Sequence, residues 1–313
     1  MSVMQYMKRF VTNPKVRFGY LSKLGFYDRL SDTDFLKKKF RVMCGTEPDL
    51  VCPQTFNEKM QFLKLHDRNP AYTQMVDKYA VKEYVARQTD QVHVFTPLGV
   101  WDRFEDIPFE TLPESFVLKC THDSGSVVFC RDKRRFDQKA AGKKLRRALK
   151  QNYFYIGREW PYKNVKPRIM AETLFSDESG YELKDYKVFV FHGRPRLIEV
   201  DFNRFGEEGH HRNLYTPEWE FLEAEIEYPS DRNRVFDKPV FLETMLEAAS
   251  ELAGSIPFVR VDFYHTGEAL YFGEFTFYHD GGTGEFRPAA FGKQMGNWID
   301  HKKAYAFTES GEA

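Results

Sequence analysis

Two apolar runs near the C-terminal end of the chain constrain its fold more than any other part of the sequence. Residues 258–264 and 269–277 are rich in aromatic and β-branched side chains, and the polar turn His265-Thr-Gly-Glu268 separates them. Such runs on either side of a short turn are typical of a β-hairpin. We therefore predict a largely apolar hairpin at this position.

Charged side chains interrupt this hairpin at regular spacing. Because side chains alternate between the two faces of a strand, Arg260 and Asp262 share one face of the first strand, and Glu274 and Thr276 share one face of the second. A loop with an odd number of residues would place all four on the same side. Buried carboxylates usually hold a cation or pair with bases, because an uncompensated buried charge is costly. Asp262 and Glu274 therefore predict either a metal site or an ion network with Arg260, and the hairpin alone leaves both open.

Composition limits the class of protein. The 313 residues suffice for a large core in one compound domain or in two joined ones, and a 16% aromatic content suits a packed enzyme better than a disordered scaffold. Acidic and basic residues balance to a formal net charge of zero, which argues against a general nucleic-acid surface.

Cysteine spacing and the N-terminal residues bear on the cellular compartment in which the protein is expected. The four cysteines show no CxxC spacing, so we predict reduced thiols in a cytoplasmic protein. The N-terminus lacks the features of a signal peptide. No apolar run approaches the roughly 20 residues of a membrane helix, so no membrane span is expected.

The first 55 residues are predicted to form a helical, basic and aromatic extension. Ser31 precedes Asp32 and Asp34 at the start of the run Phe35–Phe40, which is typical of a helix N-terminal cap with acids near the positive end of the dipole. Asp32-Thr33-Asp34 is also a DxD triplet, the metal-binding pattern of many glycosyltransferases. A helix cap is the more frequent reason for such a triplet, but it keeps a glycosyltransferase as an alternative.

A second informative stretch covers residues 115–130. It predicts a strand that ends at Lys119, a short polar loop that contains Ser124, Gly125 and Ser126, and a returning strand. A tight loop of this kind can direct backbone N–H groups at a phosphate while the lysine supplies charge. The G-x-x-x-x-G-K-[ST] pattern of a P-loop is missing, so an ordinary hairpin is the alternative.

The remaining elements are predicted from periodicity and from end signals. Helices are predicted at residues 55–64, 77–85, 137–150, 238–254 and 297–307. Strands are predicted at residues 92–100, 168–175, 185–193 and 196–202. The helix at 137–150 is strongly basic, and it is either a solvated face or a surface for an anionic substrate.

Six motifs follow one another in a fixed order along the chain. They are Phe56-Asn-Glu-Lys59, Asp77-Lys-Tyr79, Phe116-Val-Leu-Lys-Cys-Thr-His-Asp-Ser-Gly125, Asp185-Tyr-Lys-Val-Phe189, Val261-Asp-Phe263 and Phe272-Gly-Glu-Phe-Thr276. This ordered set resembles the TupA-like family of the ATP-grasp superfamily, a family of polysaccharide and teichuronopeptide biosynthesis. The resemblance covers most of the chain from about residue 55 onward.

The resemblance implies an α+β fold of the ATP-grasp type, in which two α+β subdomains grip ATP between them. Residues 1–55 would be a helical extension outside the shared core, and residues 56–313 would be the ATP-grasp domain. Within that domain we expect a mobile lid at about 116–167 and a core subdomain at about 168–313.

The resemblance also implies ligands for ATP. Lys119 and Lys187 would contact phosphates, Glu172 would lie in the adenine hinge, and Asp185 or Glu182 would bind the ribose. The loop residues expected at the nucleotide are His122, Ser124 and Gly125.

The hairpin would hold the metal and the main catalytic charge. Asp262 and Glu274 would bind Mg²⁺, which prefers oxygen ligands and phosphate bridges. Thr276 stands where the family commonly has asparagine, and it would bind through water or not at all. Arg260 matches the arginine that stabilises the acyl-phosphate and the transition state in related ligases, and Lys187 would act beside it.

The function implied is an ATP- and Mg²⁺-dependent carboxylate–amine ligase that forms an amide through an acyl-phosphate. The family suggests a sugar carboxylate, such as a uronic acid of a capsular or cell-wall polymer, joined to an amino acid or amine, with peripheral contact to lipid-linked precursors. Asp201 and Arg204 either face such a substrate or form a structural pair. The alternatives are a glycosyltransferase, an ATP-grasp kinase and a non-catalytic nucleotide-binding module.

Overall fold

The structure, a computed structural model, describes residues 3–174, 185–203, 209–266 and 268–303. Within these ranges the chain forms ten α-helices and thirteen β-strands in three sheets. The mixture of helices with mostly antiparallel sheets confirms the predicted α+β class.

The elements follow one another along the chain. The helices are α1 Val3–Thr12, α2 Pro14–Lys23, α3 Asp32–Cys44, α4 Phe56–His66, α5 Ala71–Val76, α6 Val81–Gln88, α7 Gln138–Leu149, α8 Phe154–Gly157, α9 Leu242–Ala253 and α10 Ala289–Asn297. The strands are β1 His93–Val94, β2 Pro97–Trp101, β3 Phe116–Cys120, β4 Val127–Cys130, β5 Ile169–Thr173, β6 Asp185–Phe191, β7 Arg194–Phe202, β8 His211–Tyr215, β9 Phe221–Leu222, β10 Glu225–Ile226, β11 Val259–His265, β12 Leu270–Thr276 and β13 Phe286–Arg287.

A seven-stranded sheet organises the larger part of the molecule. Its order is β1-β12-β11-β6-β7-β8-β9, and each neighbouring pair is antiparallel except β1 with β12. Helix α9 packs against β6, β7 and β11. Alternate residues of the central strands, such as Val188, Val190 and Ile198, are apolar and fully buried. The predicted hairpin is confirmed as β11 and β12.

A four-stranded antiparallel sheet, in the order β2-β5-β3-β4, has a core of its own. Helix α7 packs against it, and Phe116, Leu145 and Ile169 are buried in its separate apolar cluster. Strand β2 precedes and strand β5 follows residues 116–167, where the lid was expected. The small sheet therefore takes in more of the chain than that range.

The N-terminal helices form a third, small apolar cluster. Phe18, Phe35 and Leu36 are buried together in it. The side chain of Ser31 accepts a hydrogen bond from the backbone N–H of Asp34, which confirms the predicted cap of α3.

The DxD triplet at the start of α3 is engaged in structural contacts. Asp32 lies 2.9 Å from Arg68 and 3.3 Å from Arg158. Asp34 accepts a hydrogen bond from the hydroxyl of Ser31 at 2.7 Å. These contacts match a helix start and do not favour the glycosyltransferase interpretation.

Two predictions around residues 77–100 were wrong in their bounds. The helix expected from Asp77 begins only at Val81, because the Asp77 carboxylate accepts hydrogen bonds from the N–H groups of Tyr79 and Ala80 and forms a turn there. The single strand expected at 92–100 is two strands, β1 and β2, which belong to different sheets.

Two C-terminal helices also differ from expectation. The helix expected at 238–254 begins at Leu242, because Pro239 lies in the preceding turn. The helix expected at 297–307 is not formed at its start, since α10 ends at Asn297. The ammonium of Lys59 donates to the carbonyls of Gly296 and Ile299 at 2.8 and 2.7 Å, and the N–H of Asp300 donates to Nε2 of His192 at 2.9 Å instead of continuing the helix. Residues 304–307 lie outside the described ranges.

The cysteines match the prediction of reduced thiols, because all four are free. In the part of the chain that the structure describes, no helix has the length and apolar character needed to cross a membrane.

Candidate active site

Charged side chains from adjacent strands meet on one face of the seven-stranded sheet. Asp262 of β11 lies opposite Lys187 of β6, which in turn lies opposite Glu199 of β7. Directly opposite residues in a sheet share a face. The next row of the ladder consists of Asp185, Asp201 and Arg212. We call these six residues, together with Arg260, Glu274, His279 and Asp280, the charged face.

Arg260 is clamped by two partners on this face. Its Nε and Nη2 donate to the two carboxylate oxygens of Asp262 at 2.6 Å each, and its Nη1 donates to Nδ1 of His279 at 2.9 Å. A bidentate pair fixes the plane of a guanidinium as well as its charge. Burial would lower the pKa of Arg260, but Asp262, Glu199 and Glu274 raise it well above its ordinary value. Arg260 is thus a fixed, permanently charged group.

His279 links Arg260 to the neighbouring loop that carries Asp280. Because its Nδ1 accepts from Arg260, its Nε2 carries the proton and faces Asp280 at 3.0 Å and Glu199 at 3.4 Å. The edge of its ring packs on Phe189 at 4.7 Å. His279 therefore holds Arg260 from the side opposite Asp262.

Lys187 lies between two carboxylates. Its ammonium is 2.5 Å from Asp185 and 2.9 Å from Asp201. Burial alone would lower the pKa of Lys187, but Asp185, Asp262 and Asp201 raise it above its ordinary value. The lysine expected at the phosphates is therefore charged and immobile.

Of the remaining residues of the charged face, Asp201 was named from the sequence, whereas Glu199, Arg212, His279 and Asp280 were missed. Arg212 of β8 lies 3.1 Å from Glu199, 2.8 Å from Asp201 and 3.2 Å from Asp280. The alternation of Glu199 and Asp201 with apolar residues in β7 was a readable signal. Arg212 reaches this face because of the order of the strands, and Asp280 because of the path of a distant loop. Alternation within one strand predicts neither.

The predicted metal ligands lie at the rim of the charged face. The Glu274 side chain is 47% exposed, and its Oε1 is 3.9 Å from Arg260. Thr276 lies opposite Arg260 in the ladder, in a register shifted by a bulge between Val261 and Phe263. Within the described ranges, no group of three or more His, Cys, Asp or Glu side chains is gathered as for a metal ion.

The charge balance of this face nevertheless fits a divalent cation. Six carboxylates surround three permanent cations, namely Asp185, Glu199, Asp201, Asp262, Glu274 and Asp280 against Lys187, Arg212 and Arg260. Burial raises the pKa of Asp262 above its ordinary value, so a further positive charge beside it would be favourable. The excess of carboxylate oxygen suits Mg²⁺ in the company of phosphates.

On the small sheet, a buried carboxylate lies between two lysines. Glu172 of β5 contacts the ammonium of Lys119 and lies 2.5 Å from that of Lys82. Burial would raise the pKa of Glu172, but both lysines lower it. The Lys119 side chain is 24% exposed and that of Glu172 only 4%, so Lys119 remains accessible to a ligand. Lys82, on α6, was not predicted.

The loop between β3 and β4 is anchored at its base and exposed at its tip. The backbone N–H of Lys78 donates to the carbonyl of Thr121 at 3.0 Å, and its ammonium donates to the carbonyl of Asp123. Ser124 and Gly125 are exposed, and the φ of +94° at Gly125 is one that glycine adopts without strain. Ser124 and Gly125 therefore form an exposed tip, which fits both the predicted nucleotide loop and an ordinary hairpin.

His122 and Tyr153 show how this loop packs. His122 points away from the tip, since its ring is 2% exposed and its Nε2 lies 3.1 Å from the carbonyl of Ala148 in α7. Burial raises the pKa of Tyr153 above its ordinary value, with Glu159, Asp123 and Glu274 adding to the rise, while a hydrogen bond with Ser124 opposes it. Tyr153 thus contacts the loop through Ser124 and is within electrostatic reach of Glu274.

The sequence model of one protein family, TupA-like ATPgrasp, matches residues 58–300 of the 313 in the chain. The chain belongs to the TupA-like ATP-grasp family. The match begins within α4 and leaves helices α1 to α3 outside. No curated protein matches this member of the family in sequence.

Several solved ATP-grasp ligases are similar to this TupA-like protein in structure. D-alanine–D-alanine ligase from Bacillus anthracis, complexed with ATP, is 13% identical, with 64% of this chain and 53% of that chain covered and a TM-score of 0.36. The ATP-grasp ligase PsnB, complexed with a minimal precursor, is 10% identical, with coverages of 67% and 54% and a TM-score of 0.38. D-alanine–D-alanine ligase from Helicobacter pylori is 14% identical, with coverages of 71% and 59% and a TM-score of 0.37. The chain spans little more than half the length of these structures.

Side chains of α4 fix a loop beside the charged face. The amide of Asn57 donates to the carbonyl of Gly284 at 2.9 Å, and that of Gln61 donates to Gly282 at 2.6 Å. Glu58 forms a capping box with Thr55 at the start of α4. The loop that carries His279 and Asp280 is thereby tied to α4.

The predicted residues thus fall into two groups. Asp185, Lys187, Arg260, Asp262 and Glu274 meet on the charged face, with Thr276 at its rim. Lys119, His122, Ser124, Gly125 and Glu172 belong to the small sheet and its loop. Asp201 pairs with Lys187 and Arg212, whereas Glu182 and Arg204 lie outside the described residues.

Proposed function

We propose that this protein is an ATP- and Mg²⁺-dependent carboxylate–amine ligase. The observation that carries the proposal is Arg260, clamped between Asp262 and His279 on a face with excess carboxylate. A fixed guanidinium beside hard oxygen ligands suits the developing charge of a transferred phosphoryl group. The small sheet would supply the ATP ligands Lys119, Glu172 and the 121–126 loop.

The reaction has two chemical steps. A carboxylate oxygen of the first substrate attacks the γ-phosphorus of ATP, the bond to the β-phosphate oxygen breaks, and ADP leaves with the electron pair. The amine nitrogen of the second substrate then attacks the acyl carbon. Phosphate leaves with the C–O electron pair, the nitrogen loses a proton, and an amide remains.

The protein residues mainly position and neutralise charge in this scheme. Arg260 would stabilise the phosphoryl group in transfer, and Lys119 and Lys187 would offset the charge of the ATP phosphates. Asp262 and Glu274 would hold Mg²⁺, which supplies charge neutralisation at the phosphate oxygens. Closure of the small sheet over the charged face would protect the acyl-phosphate from water.

For the substrates we propose a sugar carboxylate and an amino acid or other amine, in polysaccharide or capsule biosynthesis in the cytoplasm. Membership of the TupA-like family supports this choice. The exposed basic residues of α7 would suit peripheral contact with anionic, lipid-linked precursors.

Isotope transfer tests the proposal. The protein is incubated with ATP, Mg²⁺, a panel of amino acids, and D-glucuronate labelled with ¹⁸O in its carboxylate. We expect equal amounts of ADP and phosphate, with one ¹⁸O in each phosphate, and release only when carboxylate and amine are both present. Phosphate retained on the acceptor would indicate a kinase. Consumption of a nucleotide sugar without ATP would indicate a glycosyltransferase and overturn the proposal.

A further inference from the structure

A cavity lies behind the loop of the small sheet. It has a volume of about 390 Å³ and lies between the end of α7 and the segment 162–167, with His122 in its wall. This volume is within the range of about 300–1,000 Å³ typical of small-molecule sites. Two of its lining residues had been predicted in other roles, His122 at the nucleotide and Lys150 in the basic helix.

The side chains around this cavity favour an anion. Its charged residues are all lysines and its other polar ones are mostly amides, namely Lys150, Lys163, Lys166, Gln151, Asn152 and Asn164. No carboxylate is among the described residues that line it. An unbalanced set of lysines in a concave site attracts negatively charged ligands.

Two of the lysines have no acidic partner of their own. Lys166 pairs with Asp102 at 2.8 Å, whereas Lys163 only lies over the ring of Phe154 at 5.1 Å. Across the described ranges, Lys150 and Lys163 form no ion pair. Their charges are therefore available to a ligand.

His122 provides an independent indication of a ligand. Its ring is 2% exposed, and its Nε2 donates to the carbonyl of Ala148 at 3.1 Å. Its Nδ1 is buried and has no hydrogen-bond partner among the described residues. With the proton on Nε2, Nδ1 is an acceptor, and buried polar atoms of this kind are normally satisfied. The missing partner is a donor such as a hydroxyl group.

The end of α7 does not repel an anion strongly here. A helix C-terminus carries partial negative charge on its last carbonyls. Two of these carbonyls are already bonded, because Ala148 accepts from His122 and from the N–H of Gln151, and Arg147 accepts from the N–H of Lys150.

The cavity borders the charged face through one aromatic wall. Tyr162 lines the cavity and packs against Tyr153 with ring centroids 4.8 Å apart. Burial raises the pKa of Tyr162 well above its ordinary value, Glu159, Tyr153 and Glu274 add to the rise, and Arg260 opposes it. Tyr162 thus lines the cavity and is within electrostatic reach of Arg260 and Glu274.

We propose that this cavity binds a small hydroxylated oxyanion, either a carboxylate or a phosphate. Lys150 and Lys163 bind the oxyanion, and Nδ1 of His122 accepts a hydrogen bond from the hydroxyl group. The site is proposed for binding alone, so it does not depend on the ligase reaction proposed at Arg260.

Calorimetric titration of the full-length protein tests this site without turnover. The probes are D-glucuronate, inorganic phosphate and D-glucose, which has hydroxyl groups but no charge. We expect glucuronate to bind at least about tenfold more tightly than glucose. Tighter binding of phosphate than of glucuronate would assign the site to a phosphate group.

Variants connect binding to the cavity. The double variant Lys150→Gln/Lys163→Gln should weaken anion binding about tenfold or more, while Lys143→Gln, an exposed lysine on the same helix, should not change it. His122→Leu removes the Nδ1 acceptor and leaves the Ala148 carbonyl bonded to the N–H of Gln151, so it should weaken glucuronate binding more than phosphate binding. Equal affinities in the wild type and the double variant, or no binding of either anion, would overturn the proposal.

The two proposals fail in different ways. If the wild type binds glucuronate but never releases phosphate from ATP, the site stands and the ligase proposal fails. If ATP-dependent phosphate release occurs but the double variant binds both anions as tightly as the wild type does, the ligase stands and the site fails.

Discussion

At the scale of single residues, the Arg260–Asp262 pair contributes to stability as well as to the proposed chemistry. Both side chains are buried, and two hydrogen bonds of 2.6 Å join them. Removal of one partner from a buried ion pair leaves an uncompensated charge, which typically costs about 3–5 kcal/mol. Glu274 is half exposed and only 3.9 Å from Arg260, so its removal should cost little stability.

We therefore predict that Asp262→Asn and Glu274→Gln separate the two roles. Both should abolish ATP turnover, but only Asp262→Asn should lower the free energy of unfolding, by about 3 kcal/mol or more. Urea unfolding followed by fluorescence measures this difference. An equal loss of stability in the two variants would contradict the contrast between buried and rim carboxylates.

Asp67 makes stability depend on pH. Burial raises the pKa of its carboxyl from 3.8 to about 6, while a hydrogen bond from Tyr72 opposes the rise. Because the folded-state pKa is above the unfolded one, the stabilisation is present below pH 3.8 and is lost as the pH rises through about 6. The full loss is about 3 kcal/mol.

Asp67→Asn removes this titration and retains an acceptor for Tyr72. Compared with the wild type, its free energy of unfolding should therefore fall less between pH 4 and pH 7. Urea unfolding across that range measures the slope. Parallel pH profiles for the two proteins would show that Asp67 does not titrate as described.

Single residues of the charged face show how much of the site could be predicted from the sequence. Alternation along one hairpin was enough to find Arg260, Asp262 and Glu274. It could not find His279, whose contact with Arg260 joins a loop and a strand 19 residues apart. Such contacts depend on the path of the backbone, which no local pattern contains.

At the scale of elements, helix starts with a side-chain cap were predictable, whereas the starts of α6 and α9, which have no such cap, were each placed four residues too early. The caps at Ser31 and Thr55 are local, since each side chain binds a backbone N–H three residues later. The end of α10 depends instead on Lys59, more than 200 residues away in sequence. A helix stopped by a distant side chain has no local signal.

Two glycines in helices should respond to alanine with opposite signs. A Cβ on Gly296 of α10 would contact the backbone of Gln54, Thr55 and Phe56, with the Phe56 nitrogen at 2.9 Å. Gly19 of α2 has nothing within 4 Å. Gly296→Ala should therefore destabilise by about 1–3 kcal/mol through overpacking, and Gly19→Ala should stabilise by up to about 1 kcal/mol. Thermal unfolding of both variants measures this, and stabilisation by Gly296→Ala would contradict the packing of α10 on α4.

At the scale of the whole molecule, two sheets with separate cores suggest that the smaller one moves as a lid. Arg134 and Arg135, beside β4, have side chains 85% and 89% exposed and offer trypsin sites. We predict cleavage within residues 121–150 and suppression of that cleavage by ATP with Mg²⁺, because closure orders this segment. Mass spectrometry of the fragments locates the cuts. Equal cleavage with and without nucleotide would exclude a lid role.

The architecture was predictable from sequence only through the resemblance to a family. Periodicity identified most strands but assigned residues 92–100 to one strand, although β1 and β2 join different sheets. The pairing of β5 with β3, which brings Glu172 to Lys119, also requires knowledge of sheet order. Sheet order depends on contacts between residues that are far apart in sequence. The order of the six motifs indicated the fold because it pointed to a family, whereas local patterns contain no information on strand order.

Calorimetric titration with nucleotides tests the central claim most directly, because it requires no knowledge of the other substrates. The wild type should bind ATP in the presence of Mg²⁺ and should not bind nucleotide sugars. Lys119→Ala should weaken ATP binding by about 2 kcal/mol, which is roughly 30-fold in the dissociation constant. Lys139→Ala, on the exposed face of α7, should leave the affinity for ATP unchanged. Binding of a nucleotide sugar in place of ATP, or an unchanged ATP affinity in Lys119→Ala, would contradict the account.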